Sequence, residues 1–392
     1  MPFGPPYATL GVRPEEGPPA VKRLFARADF VLLAVTLALT CFGAVMVASA
    51  TRHVLTEMGT ASSQKLAVHL VSVFLGLGLM ALLMSVDYAK LLSLAPAAMG
   101  IVLLTLLGLL GLGHAIRGST RWIPLGPVHL QPSEFAKLAL VLMLAFYVSL
   151  RAEDSDLRGL PVFLRTLGLA LAPGALILLQ PDLGTPVVLF LIWVVVMYVV
   201  GSRPVHLAAT VLIALLLFGV AWQTNLLRPH QKERLAAFAH PERDPQGSGW
   251  HPLQSRIAVG SGHFWGKGLF RGSQSNLAFI PDQETDFIFA VVGEELGFVG
   301  SVVMLTLLGV VIVRCYAAAQ EAKDVGGRVL AAGVGAWFSL QVVVNVGTVL
   351  GLMPVKGLSL PFISYGGSAM LVNLMALGVV QSVYMRRHKI VF

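Results

Sequence analysis

The chain has 392 residues, of which 56% are hydrophobic and only 12% are charged. A soluble globular protein carries about twice that share of charged residues, so the composition excludes an ordinary soluble domain and indicates a protein solvated mainly by lipid. The formal net charge is +8, but the basic residues are scattered among loops and not grouped with aromatic residues, which argues against nucleic acid as a partner.

Residues 1–28 contain six prolines and few large apolar side chains, so we expect a disordered cytoplasmic tail. Ten apolar runs follow, and several reach the length of about 20 residues that a helix needs to cross a hydrocarbon core. We therefore predict an all-α polytopic membrane protein, with ten transmembrane helices in a domain at 29–386 and a short cytoplasmic tail at 387–392. The runs lie near 30–50, 66–86, 91–112, 133–150, 162–179, 185–200, 205–222, 287–313, 329–350 and 364–384.

The fifth and sixth runs are short and are separated only by a turn that contains QPDLG, so a re-entrant pair is an alternative there. With the N-terminus inside, the inner segments hold fifteen Lys and Arg residues and the short outer loops hold five. This difference places both termini in the cytoplasm. Residues 223–286 then form one large extracytoplasmic loop between helices 7 and 8, which we expect to lie over the outer mouth of the bundle.

The acidic stretch PDQETDFIFAVVGEELG, at 281–297, begins the eighth span. Carboxylates at a helix N-terminus favour the positive end of the helix dipole, which accounts for Asp282 and Glu284. Asp286 differs because three apolar residues follow it directly, so partial desolvation would make its carboxylate a better base near neutral pH. Glu294 and Glu295 lie about two turns deeper, and they belong either to buried polar bonds between helices or to a polar path across the membrane.

A second group of polar residues precedes and opens the fourth span. Glu134 and Lys137 are three residues apart on one helical face and can form an ion pair, which could hold Lys137 charged toward a water-filled cavity where an anionic substrate binds. Arg121 and Trp122 lie at the predicted interface. They fit either an aromatic belt with a snorkelling base or a pair that binds a phosphate and a sugar ring.

Two further outer elements carry charge. Asp182 lies in the turn QPDLGT, and Lys356 lies in a loop interrupted by Gly and Pro before the tenth span. Irregular backbone beside a membrane helix is tolerated only where protein or water satisfies it, which indicates a lined cavity. The stretch GSGHFWGKG, at 260–268, lacks the spacing of a nucleotide-binding loop, and we interpret it as a flexible external turn.

Six ordered motifs resemble those of the shape, elongation, division and sporulation family, the polytopic RodA and FtsW proteins of bacterial cell-wall synthesis. The likeness covers about residues 28–385. The sequence departs from the family where Glu284 stands in place of a common histidine and at His263. The motifs are RWIPLG, QPSEFAKL, QPDLGT, QSRIAVGSG, TDFIFAVVGEELG and LPFISYGGSAM.

The resemblance implies a multi-pass protein of the bacterial cytoplasmic (inner) membrane that polymerises lipid II at its outer face during cell elongation, as RodA does. It implies a class B penicillin-binding protein as partner, with lipid II and a lipid-linked glycan strand as substrates. Division-type FtsW activity, lipid II flipping and a noncatalytic scaffold are the alternatives.

By the same resemblance, Asp286 is the catalytic residue that takes a proton from the acceptor sugar. Basic side chains on the outer face then stabilise the departing pyrophosphate, with a Mg²⁺ or Mn²⁺ ion as a possible addition. The substrate-binding candidates are Arg121, Trp122, Glu134, Lys137, Asp182 and Lys356.

Overall fold

The computed structural model describes most of the chain between residues 26 and 387. The described ranges are 26–58, 61–112, 121–125, 128–152, 157–180, 182–224, 249–277, 279–280, 282–354 and 357–387, with four single positions between 225 and 248. The predicted N-terminal tail lies outside the described residues except for 26–28, and the predicted C-terminal tail lies outside them except for Arg387.

Over the residues that the structure describes, the fold is helical, with one short β-hairpin. The hairpin was not expected from the sequence; its strands are antiparallel and pair Ile123 with Leu130. In chain order the elements are α1 (Phe30–Met58), α2 (Ala61–Ser85), α3 (Tyr88–Ser93), α4 (Ala95–Leu112), β1 (Ile123–Leu125), β2 (Val128–Leu130), α5 (Pro132–Arg151), α6 (Leu160–Leu179), α7 (Gly184–Val199), α8 (Pro204–Gln223), α9 (Trp250–Ser261), α10 (Ser273–Asn276), α11 (Ile288–Glu321), α12 (Val325–Val349) and α13 (Gly367–Met385).

Every predicted apolar run coincides with a helix. Within the described residues, eight helices are long and apolar enough to cross a membrane, namely α1, α2, α5, α6, α8, α11, α12 and α13. Two shorter apolar stretches, Ala95–Gly111 in α4 and Gly184–Val199 in α7, correspond to the third and sixth predicted runs. The chain is therefore a polytopic membrane protein.

The interior of the bundle is formed by α12 and α13. In their most apolar 18-residue segments, 72% and 83% of the residues are buried. Helix α12 packs on α5, α7 and α11, and α13 packs along α2. Small residues permit these close approaches, as is usual between membrane helices. A Cβ built at Gly333 would lie 2.8 Å from Val141 Cγ1, and one at Gly378 would lie 2.7 Å from the Met80 carbonyl oxygen.

Helix α11 is broken at Gly297, which adopts φ 64° and ψ −160°. The break leaves backbone groups that lipid cannot satisfy, and the segment 263–268 supplies their partners. The N–H groups of residues 267 and 268 donate to the carbonyls of residues 294 and 295 at 3.0 and 2.9 Å, and those of 298 and 299 donate to the carbonyls of 263 and 264 at 3.0 and 3.2 Å. The interpretation of this segment as a flexible turn was therefore wrong, because its backbone completes the hydrogen bonding of the broken helix.

The described part of the predicted loop 223–286 packs onto the bundle. Helix α9 was not predicted, because its sequence shows no sustained apolar period. It contacts α11 and α12, and its Ser255 Oγ donates to the Val349 carbonyl at 3.1 Å. Farther along, Gln283 Nε2 donates to the Ala50 carbonyl in α1 at 2.7 Å.

The beginning of α1 and the end of α13 meet at one end of the bundle. Asp29 is buried and pairs with Arg314 of α11, and its Oδ1 accepts a hydrogen bond from the Leu32 N–H at 3.0 Å. Gln381 of α13 accepts from the Asp29 N–H at 3.0 Å and donates to the Asp29 carbonyl at 2.9 Å. The two ends of the helical domain therefore lie on the same side, as the even number of predicted spans requires.

Replacement of Arg314 by Gln should destabilise this end, because it leaves the Asp29 carboxylate buried without its cation. We expect the free energy of unfolding to fall by about 1–3 kcal/mol, less than the roughly 3–5 kcal/mol for breaking a fully buried pair, because Arg314 is partly exposed. Thermal unfolding in detergent, followed by circular dichroism, measures the change. Arg328→Gln, at an exposed position of α12, is the matched control and should leave the midpoint unchanged.

Candidate functional site

Asp286 lies two residues before α11 begins, and its side chain is half-buried. Its backbone N–H donates to the Asp282 carbonyl at 3.2 Å, and its carbonyl accepts from Asn345 Nδ2 at 2.9 Å. Asn345 is buried in α12 and also donates to the Leu358 carbonyl at 2.6 Å. One amide group therefore holds Asp286 and the loop after α12 together.

That loop, residues 357–366, covers the segment that carries Asp286. Ser364 Oγ donates to the Thr285 carbonyl at 2.6 Å, and the Tyr365 N–H donates to the Glu284 carbonyl at 2.7 Å. Gly357 adopts φ 63°, and a Cβ built there would lie 3.2 Å from Asp286 Oδ2. The absence of a side chain at Gly357 therefore allows the loop backbone to approach the carboxylate.

Glu284, which stands where the resembling family usually has a histidine, forms an ion pair with Lys65 of α2. Burial, followed by the nearby Glu284 carboxylate, raises the pKa of Tyr365, so its phenol stays neutral across the physiological range. Glu284 thus links the Asp286 segment to α2. The helix dipole, which was the explanation expected from the sequence, is therefore not the only interaction that stabilises this carboxylate.

Arg121 and Asp182 come together at the start of α7. Arg121 Nε donates to the Gln180 carbonyl at 2.8 Å, and Arg121 Nη1 lies 3.9 Å from Asp182 Oδ2. Asp182 accepts hydrogen bonds from the Gly184 N–H at 2.9 Å and from Thr185 Oγ1 at 3.0 Å. Asp182 therefore caps the first turn of α7 and orients Arg121, which is partly exposed.

Trp122 packs edge-on against His129 across the hairpin, with ring centroids 6.5 Å apart. The hairpin is joined to α13, because Ser368 Oγ donates to the His129 carbonyl at 3.2 Å and accepts from the Gln131 N–H at 2.9 Å. Through these contacts Arg121, Trp122, Asp182 and Asp286 lie at the same end of the bundle. Lys356 lies outside the described residues, one residue before Gly357.

Glu134 and Lys137 form the predicted ion pair, with Nζ 2.7 Å from Oε2. The expectation that Lys137 faces a water-filled cavity does not hold in this structure. The side chain is 0% exposed, because Trp337 of α12 covers the ammonium group at 4.9 Å from its ring centroid. The contact between Lys137 and Trp337 joins α5 to α12.

Glu294 and Glu295 anchor the segment that follows α9. Glu294 accepts from Lys267 Nζ at 2.8 Å and from the N–H groups of Gln274 and Ser275 at 2.8 and 3.0 Å. Glu295 accepts from Ser49 Oγ of α1 at 2.7 Å and from the Phe270 N–H at 3.1 Å. Both carboxylates are buried, and these bonds agree with the interpretation as polar bonds between packed elements.

Asn345 was missed by the sequence analysis. Its signal was a polar amide inside an apolar span, the same signal that drew attention to Glu294 and Glu295. Among the described residues, no group of three or more His, Cys, Asp or Glu side chains could hold a metal ion.

A model of the cell cycle protein family that comprises FtsW, RodA and SpoVE matches residues 29–389. The chain belongs to this family. The resemblance read from the six motifs is thereby confirmed, and the match extends over the whole helical domain.

Related proteins agree in sequence and in fold. The probable peptidoglycan glycosyltransferase FtsW of Trichlorobacter lovleyi is 34% identical over 362 residues, which cover 91% of this chain and 93% of that protein. A chain from a peptidoglycan synthase complex, described as coordinating polymerization and crosslinking, has a TM-score of 0.75 at 32% identity and covers 92% of this chain and 99% of its own. The rod shape determining protein RodA of Thermus thermophilus has a TM-score of 0.67 at 32% identity and covers 92% and 98%.

Replacement of Glu294 by Ala should loosen the segment 263–276, because Lys267 and two backbone N–H groups lose their acceptor. Hydrogen exchange in detergent should become faster by about tenfold or more across this segment, corresponding to at least about 1.4 kcal/mol of lost local stability. Glu321→Ala, which removes a half-exposed carboxylate paired with Arg387, is the control. Unchanged exchange in 263–276 would refute the anchoring role.

Proposed function

We propose that this chain is a peptidoglycan glycosyltransferase that polymerises lipid II into glycan strands at the outer face of the cytoplasmic membrane, during cell elongation. Its membership in the FtsW, RodA and SpoVE family and its relatives of that named activity support the assignment. The observation that carries the chemistry is the half-buried Asp286 carboxylate, held at one end of the bundle by Asn345 and the loop 357–366.

The short helices α4 and α7 complete ten membrane crossings in this proposal. Helix α7 begins at the Asp182 turn and ends near Gly201, where a built Cβ would lie 3.9 Å from Nε of Arg158, two residues before α6 begins. Helix α7 therefore runs antiparallel to α6 and ends at the level where α6 begins, which argues against a re-entrant pair. Together with the distribution of Lys and Arg, this supports an extracytoplasmic position for the Asp286 end and a cytoplasmic position for both termini.

In the proposed reaction, Asp286 accepts the proton of the acceptor sugar 4-hydroxyl as that oxygen attacks the anomeric carbon of the donor. The bond between that carbon and the lipid pyrophosphate breaks with its electron pair, so the centre is inverted and the pyrophosphate leaves as an anion. A carboxylate at the edge of an apolar region suits this step, because partial desolvation makes it a stronger base.

Basic groups at the same end would stabilise the leaving pyrophosphate. Arg121 is partly exposed and is oriented by Asp182, so it fits this role, and Trp122 beside it offers a flat face to a sugar ring. Lys356 is one residue from the loop backbone that approaches Asp286. Lys137 is fully buried, so we assign to the Glu134–Lys137 pair the positioning of α5 against α12.

The main alternatives differ in what they need from the structure. A lipid II flippase would need polar groups along a path through the membrane, whereas Glu294 and Glu295 already bond to segment 267–275 and to Ser49. Septal synthesis of the FtsW type remains the second candidate, because the curated relatives include FtsW proteins. A class B penicillin-binding protein is the proposed partner, in line with the synthase complex that resembles this chain.

Replacement of Asp286 by Asn should abolish polymerisation, because the amide keeps the shape of the side chain but cannot accept the proton. We expect a rate loss of about 10²-fold to 10⁴-fold, the usual range for a general base. The measurement uses purified protein with its penicillin-binding partner and labelled lipid II, with glycan products separated by gel electrophoresis.

Asp282→Asn is the matched control, since it makes the same chemical change four residues earlier at an exposed position with φ 50°, which Asn tolerates. It should keep near-normal activity. Full polymerisation by the Asp286 variant would refute the base role.

Replacement of Gly357 by Ala should displace the Asp286 carboxylate, because a Cβ there meets Oδ2 and the backbone has a positive φ. We expect polymerisation to fall by about tenfold while the protein still folds, since left-handed strain at one residue costs only about 1–2 kcal/mol. Gly366→Ala in the same loop meets its nearest atom at 3.5 Å and is the control. Equal activity of the two variants would contradict the close approach at Gly357.

A further inference from the structure

A second polar site lies at the opposite end of the bundle from Asp286. It is an open pocket of about 530 Å³ between the start of α6 and the α7–α8 turn. Two arginines line it, Arg158 before α6 and Arg203 before α8, together with Ser202. Helix α7 separates it from Asp182 by 16 residues, or about 24 Å, so it is remote from the proposed catalytic end.

The buried hydroxyl of Ser202 indicates that a ligand or water binds in this pocket. The turn after α7 is a Schellman motif, in which the Ser202 N–H donates to the Met197 carbonyl at 3.0 Å and Gly201 has φ 85°. The backbone of Ser202 is therefore satisfied, but its Oγ has no hydrogen-bond partner among the described residues, although the residue is only 5% exposed. A buried hydroxyl without a partner costs free energy, so a ligand or water that binds it is favoured.

The pocket also lies at the N-terminus of α8, a 20-residue helix. Pro204 occupies the first turn, and no side chain caps this terminus in the described structure. The positive end of the helix dipole therefore faces the same space as the two guanidinium groups. Two cationic side chains, a hydroxyl donor and a helix N-terminus together match a phosphate group.

The surroundings of the pocket favour a lipid as the source of that phosphate. Tyr198 lines the pocket with 72% of its surface exposed, and Val205 beside it is 67% exposed. From there α8 continues as an apolar helix with little protein around it. Only 6% of its most apolar 18-residue segment is buried, and its main contact is α7. Acyl chains can lie along this surface while the headgroup occupies the pocket.

We propose that this pocket binds the headgroup phosphate of an anionic phospholipid at the membrane face opposite the Asp286 end. Arg158 and Arg203 contact the phosphate oxygens, Ser202 Oγ donates a hydrogen bond to it, and the acyl chains pack on α8. The site is independent of the glycosyltransferase chemistry, and a soluble phosphate ester is the competing source of the same group.

The test uses the full chain in nanodiscs that contain equal amounts of phosphatidylglycerol and phosphatidylcholine. After transfer to detergent, native mass spectrometry counts the lipids that stay bound. The wild type should retain phosphatidylglycerol preferentially. The double variant Arg158→Gln/Arg203→Gln should retain it with at least about tenfold lower affinity, since two charge-assisted contacts are lost.

Arg165→Gln/Arg328→Gln is the matched control, because it removes two exposed arginines from the same end of the bundle but leaves the pocket intact. Ser202→Ala is a second variant that breaks no side-chain hydrogen bond of the described structure, so it should fold and lose about threefold in retention.

The proposal would be overturned if the control variant lost as much phosphatidylglycerol retention as the double pocket variant. Unchanged retention in both pocket variants would overturn it as well. Displacement of phosphatidylglycerol by millimolar glycerol 1-phosphate would overturn the lipid assignment in favour of a soluble phosphate ester. Polymerisation of lipid II is measured on the same samples, and retained activity in the pocket variants keeps this result separate from the proposed function.

Discussion

The break in α11 at Gly297 is the constraint on which the Asp286 end of the structure depends. A helix that loses its hydrogen-bond ladder inside a membrane must find other partners, and the segment 263–268 provides them through its own backbone. The first part of α11, which begins two residues after Asp286, is therefore oriented by a loop as well as by its neighbouring helices. Glu294 and Glu295 strengthen the same junction by accepting bonds from residues 267–275 and from Ser49.

Other charged groups of the bundle are also paired, and two of these pairs join elements that are distant in sequence. Asp29 and Arg314 connect α1 to α11 at one end, whereas Glu284 and Lys65 connect the Asp286 segment to α2 at the other. Lys137, the most deeply buried cation of these, is both paired with Glu134 and covered by Trp337. Because an uncompensated charge in a membrane is costly, these pairs restrict how the helices can be assembled. The segment that carries the half-buried Asp286 carboxylate is held in place by these contacts.

Some site features could be read from local sequence because they depend on near neighbours. The three-residue spacing of Glu134 and Lys137 predicted their ion pair, and the Asp182 turn was located correctly at the start of α7. The contact between Arg121 and Asp182, the burial of Lys137 under Trp337 and the hydrogen bond from Asn345 to the Asp286 carbonyl could not be read in this way. Each joins residues about 60 to 200 positions apart or depends on which helix face is turned inward.

Composition and the length of the apolar runs determined that this is a helical membrane protein, because the hydrocarbon core admits only segments of sufficient length with satisfied backbones. The ordered motifs determined its family. Only the tertiary structure decided the role of the backbone at 263–268, the function of Glu294 and Glu295 as anchors, and the proximity of Gly357 to Asp286. These features arise where an irregular segment meets a broken helix, and such a meeting is set by packing between distant elements, which leaves no periodic pattern in the sequence.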